Sequence, residues 1–167
     1  MFNPYSTIMK KQPLISVIVA SYNYAKYIKE TLDSLIRQTN KSFEVIVVDD
    51  GSKDQSLPII EEYANRFKNI KLYTHPGNQN RGLAETVILG IEKSNGEYIA
   101  FCESDDYWTN NHIEYLQDTI QQNPLANFIV NGIKVINLSN NPEYDSYIEF
   151  SSSFLKKHSG SNIFPYL

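Results

Sequence analysis

Short apolar runs alternate with longer stretches of helical periodicity along most of this chain. The runs are nearly continuous in apolar character, which is typical of strands buried on both faces of a parallel sheet. Turn-forming residues separate these runs from the segments that follow them. The predicted strands are Leu14–Ala20, Phe43–Val48, Ile70–Thr74, Glu97–Cys102 and Phe128–Ile136.

Between the runs, apolar residues recur at the spacing of amphipathic helices. The first helix is predicted over Tyr24–Gln38, and Pro58 suits the first turn of the second. The last helix is expected to open with a capping box from Asn111 to Glu114. The inward positions of the later helices are predicted to be Leu57, Ile60, Ala64 and Phe67, then Leu83, Val87, Ile88 and Ile91, then Ile113, Leu116 and Ile120. This alternation predicts an α/β fold with a mainly parallel central sheet and helices on both faces.

Polar clusters follow three of the predicted strands: Ser21–Asn23, Asp49–Ser52 and Glu103–Asp106. Ligands of parallel sheets bind at the carboxyl ends of the strands, near the point where strand order reverses. We therefore expect the three clusters to share one site. The last cluster holds three carboxylates, which oppose each other's ionisation unless a counter-charge offsets them. A divalent metal ion and an ordinary acidic loop in water are the two explanations.

Composition narrows the class of protein. With 167 residues, 41% of them apolar, the chain has enough material for one globular domain. The net charge of −4 and the scattered lysines argue against a nucleic-acid partner. No apolar run approaches the roughly 18 residues of a membrane helix, so no transmembrane segment is predicted. Neither of the common glycine-rich phosphate-loop motifs occurs.

The histidines and the cysteine offer no obvious chemistry. His75, His112 and His158 are far apart in sequence and lack metal-ligand or triad spacing, so we expect surface or helix-cap positions for all three. Cys102, the single cysteine, is expected to be a small buried residue, and its isolation fits a reducing compartment.

Five segments, in order, resemble glycosyltransferase family 2, a group of nucleotide-sugar-dependent enzymes with the GT-A fold. Two positions depart from the family pattern: Ala20 stands where proline is common, and Glu103 stands at the first aspartate of the D-x-D motif. The likeness covers residues 14 to about 110. The segments are Ile15–Asn23, Glu30–Thr39, Phe43–Asp54, Asn80–Gly82 and Gly96–Phe101.

The resemblance implies a donor site for a nucleotide diphosphate sugar, with uridine diphosphate as the expected carrier. Asp50 would accept a hydrogen bond from the base imide, with Asp49 supporting the pocket. The implied metal ligands are Asp105 and Glu103, holding Mn²⁺ or Mg²⁺, with Asp106 as a donor or acceptor contact. The implied nucleotide-binding residues are Ala20, Ser21, Tyr22, Asn23, Asp49, Asp50, Arg81 and Ser104.

The resemblance further implies an inverting, metal-dependent sugar transfer to a saccharide, lipid-linked or protein acceptor that the sequence does not identify. The family's general base has no match in this chain, so the catalytic residue is unknown. The alternatives are a nucleotide-sugar-binding module or an inactive fragment without transfer activity, and an α/β interaction domain with no ligand. A homodimer stays open.

Three regions are expected along the chain. Residues 1–13 form a lead-in, 14–137 form the nucleotide-sugar-binding domain, and 138–167 start an acceptor-side region that looks truncated. The expected location is cytoplasmic, with a peripheral position at the inner face of the membrane as the alternative for a longer protein.

Overall fold

The computed structural model describes residues 15–129 and, after them, only the backbone pairing of three short strands, at 133–134, 147–148 and 155–156. The strands are β1 Ile15–Ser21, β2 Phe43–Asp49, β3 Ile70–Thr74, β4 Tyr98–Phe101, β5 Ile133–Lys134, β6 Tyr147–Ile148 and β7 Leu155–Lys156. The helices are α1 Ile28–Ile36, α2 Ser56–Arg66, α3 Leu83–Lys93 and α4 His112–Gln122, with a single 3₁₀ turn at Pro76–Asn78.

The main sheet has the order β3-β2-β1-β4-β7, and its first four strands are parallel. The chain therefore runs outward from β1 through β2 to β3, then returns to place β4 on the other side of β1. That reversal makes the gap between the carboxyl ends of β1 and β4 the switch point, where open α/β sheets bind ligands. The predicted α/β class and the mainly parallel sheet are confirmed.

The core forms because alternate residues of each strand point to opposite faces of the sheet. On one face Val17 and Val45 pack with α1, α2 and α4 in the larger cluster. On the other face Ile18 and Ile99 pack with Ile91 of α3. Helices thus cover both faces and keep the strands dry. No helix in residues 15–129 combines the length and the apolar character needed to cross a bilayer.

The predicted fifth strand, Phe128–Ile136, is wrong in extent and place. Residues 128 and 129 lie outside any strand, and Ile133–Lys134 pairs antiparallel with β6 in a separate two-stranded sheet; the rest of the predicted range lies outside the described residues. The fifth strand of the main sheet is β7, antiparallel to β4. A local apolar pattern does not say which sheet edge a segment joins, and here a later segment occupies that edge.

Two helix predictions also need correction. Leu83 and Ile88 are 63% and 39% exposed, because the buried stripe of α3 is formed by Thr86, Gly90 and Ile91. At the start of α4, Asn111 makes no side-chain capping bond, so the predicted capping box is absent. Gln38, two residues beyond the end of α1, caps α4 instead, as described below.

Candidate functional site

The three predicted polar clusters follow β2, β1 and β4, which are adjacent parallel strands on either side of the switch point. Ser21 and Asp49 are direct neighbours in the β1–β2 register, and the Asp50 amide donates to the Ser21 carbonyl at 2.8 Å. At the other side of β1, the Cys102 amide donates to the Ile18 carbonyl at 3.0 Å. The acidic cluster that follows β4 therefore leaves the sheet beside β1.

Backbone amides of the loop after β1 donate hydrogen bonds to side chains of the segment that follows β2. Asn23, with a left-handed φ of 58°, returns one bond by accepting from the Lys53 amide at 2.7 Å. Burial alone would raise the pKa of Asp54, but hydrogen bonds from Ser56 and Ala25 outweigh burial and hold it below the ordinary value. Three such bonds are formed: the amides of Asn23, Tyr24 and Ala25 donate to Ser52 Oγ at 2.9 Å, Ser56 Oγ at 2.8 Å and Asp54 Oδ2 at 3.0 Å, respectively.

These contacts place the predicted residues of the first loop. Tyr22 is 43% exposed at the rim, while Ser21 is buried and its hydroxyl has no hydrogen-bond partner. Ala20, the second-to-last residue of β1, is half-buried. The sequence interpretation did not single out Asp54 and Ser56, although Asp54 ends the segment Phe43–Asp54 and the three residues Ser52, Asp54 and Ser56 follow one another at two-residue spacing. That spacing was the available signal.

The two aspartates after β2 have separate tasks. Asp49 is fully buried and accepts from Ser52, at 2.9 Å from its amide and 2.5 Å from its hydroxyl. Asp50 is 4% exposed and accepts from the Arg81 amide at 2.6 Å and the Gly82 amide at 2.9 Å. Asp50 thereby draws the loop before α3 towards the strand ends. The Arg81 side chain stays exposed.

The expectation that His75 occupies a surface or cap position is wrong. His75 is 7% exposed, with Nε2 at 3.0 Å from Thr86 Oγ1 and 3.5 Å from Asp50 Oδ1. The Thr86 hydroxyl donates its proton to the Gly82 carbonyl at 2.9 Å, so His75 Nε2 is the donor towards Thr86. Sequence reasoning missed His75 because its partners come from a later helix and another strand end.

His112 is the first residue of α4, directly after the N-cap residue Asn111, and it is half-buried, so the expected surface or cap position is not found. Its ring centroid lies 4.3 Å from that of Trp108, and its Nε2 is buried without a hydrogen-bond partner. Burial lowers the pKa of His112 from 6.5 to about 4, which keeps the imidazole neutral near pH 7. His158 lies outside the described residues.

The acidic turn, defined as Glu103–Asp106, follows β4 directly. Its backbone is closed by the Asp106 amide donating to the Glu103 carbonyl at 3.1 Å. Ser104 is buried, while the three carboxylate residues are exposed on the rim. The turn therefore leaves Glu103, Asp105 and Asp106 accessible to solvent directly after β4.

The electrostatics of the acidic turn favour a counter-charge. Partial burial raises the pKa of Glu103, and the charges of Asp106 and Asp105 raise it further. Partial burial and Asp105 raise the pKa of Asp106 in the same way. Within residues 15–129, no lysine, arginine or histidine forms an ion pair with these three carboxylates.

The donor chemistry of the turn suits a hard cation that keeps other oxygen ligands. Carboxylate oxygens are the ligands that Mg²⁺ and Mn²⁺ prefer, and residues 103–106 themselves contain no cysteine or histidine. Among the described residues, no group of three or more His, Cys, Asp or Glu side chains is arranged to enclose a metal ion. The turn therefore fits a cation shared between one or two carboxylates and a substrate, rather than an all-protein cage.

Comparison with known proteins gives a consistent result. The family model for glycosyl transferase family 2 matches residues 16–165. An uncharacterized glycosyltransferase of Haemophilus influenzae is 37% identical over 114 residues, which are 68% of this chain and 45% of the relative. EpsJ of Bacillus subtilis, an uncharacterized glycosyltransferase, is 39% identical over 68% of this chain and 32% of its own length. The chain thus spans less than half the length of these relatives.

Solved structures show the same likeness. S. aureus TarS, in complex with UDP-GlcNAc, has a TM-score of 0.68 and 34% identity over 77% of this chain and 36% of the TarS chain. The mannosyltransferase PcManGT from Pyrobaculum calidifontis, in complex with GDP-Man and Mn²⁺, has a TM-score of 0.62 and 19% identity over 88% of this chain and 45% of its own. At that identity the second likeness concerns the fold alone. The fold is thus similar to GT-A glycosyltransferase structures.

Proposed function

Since this chain belongs to glycosyl transferase family 2, we propose that it forms the donor half of an inverting, metal-dependent glycosyltransferase whose donor is a uridine diphosphate sugar. The observation that carries the proposal is a hydrogen-bonded polar loop after β1 and, after the neighbouring strand β4, an acidic turn that has no ion-pair partner within residues 15–129. TarS, 34% identical to this chain, was solved with UDP-GlcNAc bound, which supports uridine as the base.

The nucleoside end of the donor is assigned to the loops after β1 and β2. Asp50 has accepted two amide hydrogens, and a carboxylate with about four lone-pair sites keeps acceptor capacity for a base imide. Tyr22 offers a half-exposed ring at the rim for stacking on the base. The unpartnered Ser21 hydroxyl and the exposed Arg81 guanidinium are the proposed contacts for the remaining polar groups of the nucleotide.

The diphosphate end is assigned to the acidic turn. A diphosphate beside three carboxylates is strongly repulsive without a cation, because unit charges about 4 Å apart interact by about 4 kcal/mol even at an effective dielectric of about 20. Asp105 and Glu103 are the proposed ligands of Mn²⁺ or Mg²⁺, and the bound ion would supply Lewis-acid stabilisation of the departing diphosphate. Asp106 is left as a contact to the donor sugar or the acceptor. Glu103 reaches one methylene further than aspartate and so extends the turn towards the phosphates.

The transfer itself requires an acceptor hydroxyl opposite the leaving diphosphate. The hydroxyl oxygen forms the bond to the anomeric carbon while the bond from that carbon to the diphosphate oxygen breaks, and a general base takes the hydroxyl proton. The residues assigned here bind and orient the donor and hold its charge. The base is proposed to come from the acceptor side of the full protein, so a fragment confined to the donor half should bind donor without transferring it.

A thermal-shift panel tests the proposed function. UDP, GDP, ADP and CDP are each added with and without Mn²⁺ at a concentration expected to exceed the dissociation constant about tenfold. Binding at that ratio adds ~1.4 kcal/mol, or about 3–6 °C for a domain of this size. UDP with Mn²⁺ should give the largest shift. If no nucleotide raises the midpoint in either condition, the donor site does not exist.

Transfer and simple binding separate in a second assay. Hydrolysis of UDP-GlcNAc and of UDP-glucose is followed by UDP release, with the full-length protein and with residues 1–167 side by side. UDP release by the full-length protein alone supports a donor half that needs the acceptor side. Donor binding without release in both samples favours a binding module.

A further inference from the structure

The first helix carries a buried polar stripe that the donor site does not absorb. Thr31, Ser34 and Gln38 follow one another at helical spacing along α1 and its C-terminal end, and each is at most 1% exposed. Burying three polar side chains on the face that packs against the core is costly unless each finds partners. We call these three residues the α1 polar ladder.

The α1 polar ladder finds those partners on the backbone of the acidic turn and the segment after it. Thr31 Oγ1 donates to the Ser104 carbonyl at 3.0 Å, inside the turn. Ser34 Oγ accepts from the Trp108 amide at 3.1 Å and donates to the Thr31 carbonyl at 2.7 Å. One bond thus holds the middle of the turn, and the other holds the chain two residues after it.

Gln38 continues the same series further along the chain. Its Nε2 donates to the Thr109 carbonyl at 2.7 Å, and its Oε1 accepts from the Ile113 amide at 2.9 Å. The second bond caps α4, which explains why the capping box predicted for that helix is absent. Just beyond, the Thr39 amide donates to the Asn110 carbonyl at 2.7 Å. Residues of α1 and the segment just after it thus form long-range hydrogen bonds with the segment from Ser104 to Ile113.

The acidic turn needs such support for an electrostatic reason. Its three carboxylates lie within four consecutive residues and repel one another. Repulsion favours a turn that splays open, and a splayed turn must be reassembled each time a cation binds. Bonds from a buried helix to the backbone of the turn oppose that opening before any ligand arrives, which lowers the ordering cost of binding.

We propose that the α1 polar ladder is a positioning device for the acidic turn, with Thr31 and Ser34 holding the carboxylates in the arrangement that receives the metal and the diphosphate. This inference rests on the proposed function of the turn. Neither residue touches the ligands; both act through the backbone of Ser104 and Trp108. Loss of such supporting contacts around metal ligands typically lowers metal affinity by about tenfold or more.

The test uses paired variants of the full chain. Ser34→Ala removes two hydrogen bonds of a fully buried serine next to the turn. Ser16→Ala is the matched control, because Ser16 is equally buried, donates to Glu44 at 2.7 Å and accepts from the Gly96 amide at 2.8 Å at the opposite end of the sheet. Thr31→Val removes the hydroxyl at constant shape, and Thr31→Ser restores it. The second pair carries the test if Ser34→Ala does not fold.

Two affinities are measured for each variant: UDP with Mn²⁺, and UMP in the presence of EDTA. The inference predicts that Ser34→Ala and Thr31→Val weaken the first about tenfold and change the second less than about twofold. Thr31→Ser and Ser16→Ala should leave both near the wild-type values. Equal weakening of both ligands, or equal effects of Ser34→Ala and Ser16→Ala, overturns the positioning role.

The wild-type protein separates this failure from failure of the proposed function. If wild type binds Mn²⁺ and UDP but the variants follow the control, only the positioning role is wrong. If wild type binds neither UMP nor UDP under any condition, the donor site itself is wrong, and the positioning role falls with it.

Discussion

The close approach of the loop before α3 to Gly51 should be intolerant of a single methyl group. Gly51 has a φ of 76°, and a Cβ placed on it would lie 2.7 Å from the Asn78 carbonyl oxygen and 2.9 Å from the Asn80 nitrogen. Both atoms belong to backbone, which cannot rotate away as a side chain can. Gly51→Ala must therefore push the 78–80 segment outward, and with it the Arg81 and Gly82 amides that Asp50 holds.

Gly77→Ala isolates the part of this effect that is due to backbone conformation. Gly77 has a similar φ of 68°, but a Cβ there would meet only the Gln79 Cγ, at 3.9 Å. The left-handed conformation costs an L-residue about 1–2 kcal/mol, and this cost lowers the free energy of unfolding of both variants. The backbone clash at Gly51 adds about 1–3 kcal/mol, by analogy with overpacked sites. We expect destabilisation of about 1–2 kcal/mol for Gly77→Ala and about 2–5 kcal/mol for Gly51→Ala.

Thermal unfolding measures the stability of the two variants, and UDP titration measures their affinity for the nucleotide. At about 2–4 °C per kcal/mol, the midpoint of thermal unfolding should fall by about 2–8 °C in Gly77→Ala and clearly further in Gly51→Ala. The affinity for UDP should fall in Gly51→Ala and stay near wild type in Gly77→Ala. Equal stability losses and unchanged UDP affinity in both variants would refute the argument that close backbone approach builds the nucleotide pocket.

Three further predictions concern charged and titratable groups. Because ionisation of Glu103 is opposed by burial and by neighbouring charge, Glu103→Gln should raise the midpoint of the metal-free protein at pH 7 yet weaken UDP binding with Mn²⁺, and a lowered metal-free midpoint would contradict this. Burial lowers the pKa of His112 to about 4, whereas the unfolded histidine protonates near pH 6.5. The free energy of unfolding of the wild-type protein should therefore fall by about 2 kcal/mol when the pH is lowered from 7 to 5. His112→Phe should remove that loss in urea unfolding at the two pH values, and an unchanged difference would count against it. For Glu44, burial alone would raise the pKa, but hydrogen bonds from Lys71, Ser16 and Asn95 hold it below 4.5. The ionised carboxylate therefore stabilises the fold above pH 4.5, and this stabilisation is lost as the pH falls further. Glu44→Gln should lower the free energy of unfolding by about 1–3 kcal/mol at pH 7, and the difference from wild type should shrink below pH 4.5.

Local pattern was sufficient where neighbours in sequence decide the structure. Ile70–Thr74 matches β3 at both ends, and β2 extends its predicted range by only one residue. The polar clusters follow adjacent parallel strands, as expected, and the carboxyl ends of parallel strands share one edge. Their common position follows from strand topology alone.

The burial of His75, the cap of α4 and the exposure of Leu83 depend on residues elsewhere in the sequence, and a local sequence pattern cannot predict such contacts. His75 is buried because Thr86 and Asp50 supply its polar contacts. The start of α4 is capped by Gln38, 75 residues away from Ile113. Leu83 begins α3 beyond the strand ends, next to an amide that bonds Asp50, and so its helical spacing does not bury it.

The most direct test of the central claim is the Mn²⁺ dependence of UDP affinity in wild type and in Asp105→Asn, measured by isothermal titration calorimetry. The account predicts that Mn²⁺ strengthens UDP binding about tenfold or more in wild type and much less in Asp105→Asn, while metal-free UMP binding is the same in both. UDP affinity that is independent of Mn²⁺ in wild type, or a Mn²⁺ effect that survives intact in Asp105→Asn, would contradict the assignment of the acidic turn to the metal and the diphosphate.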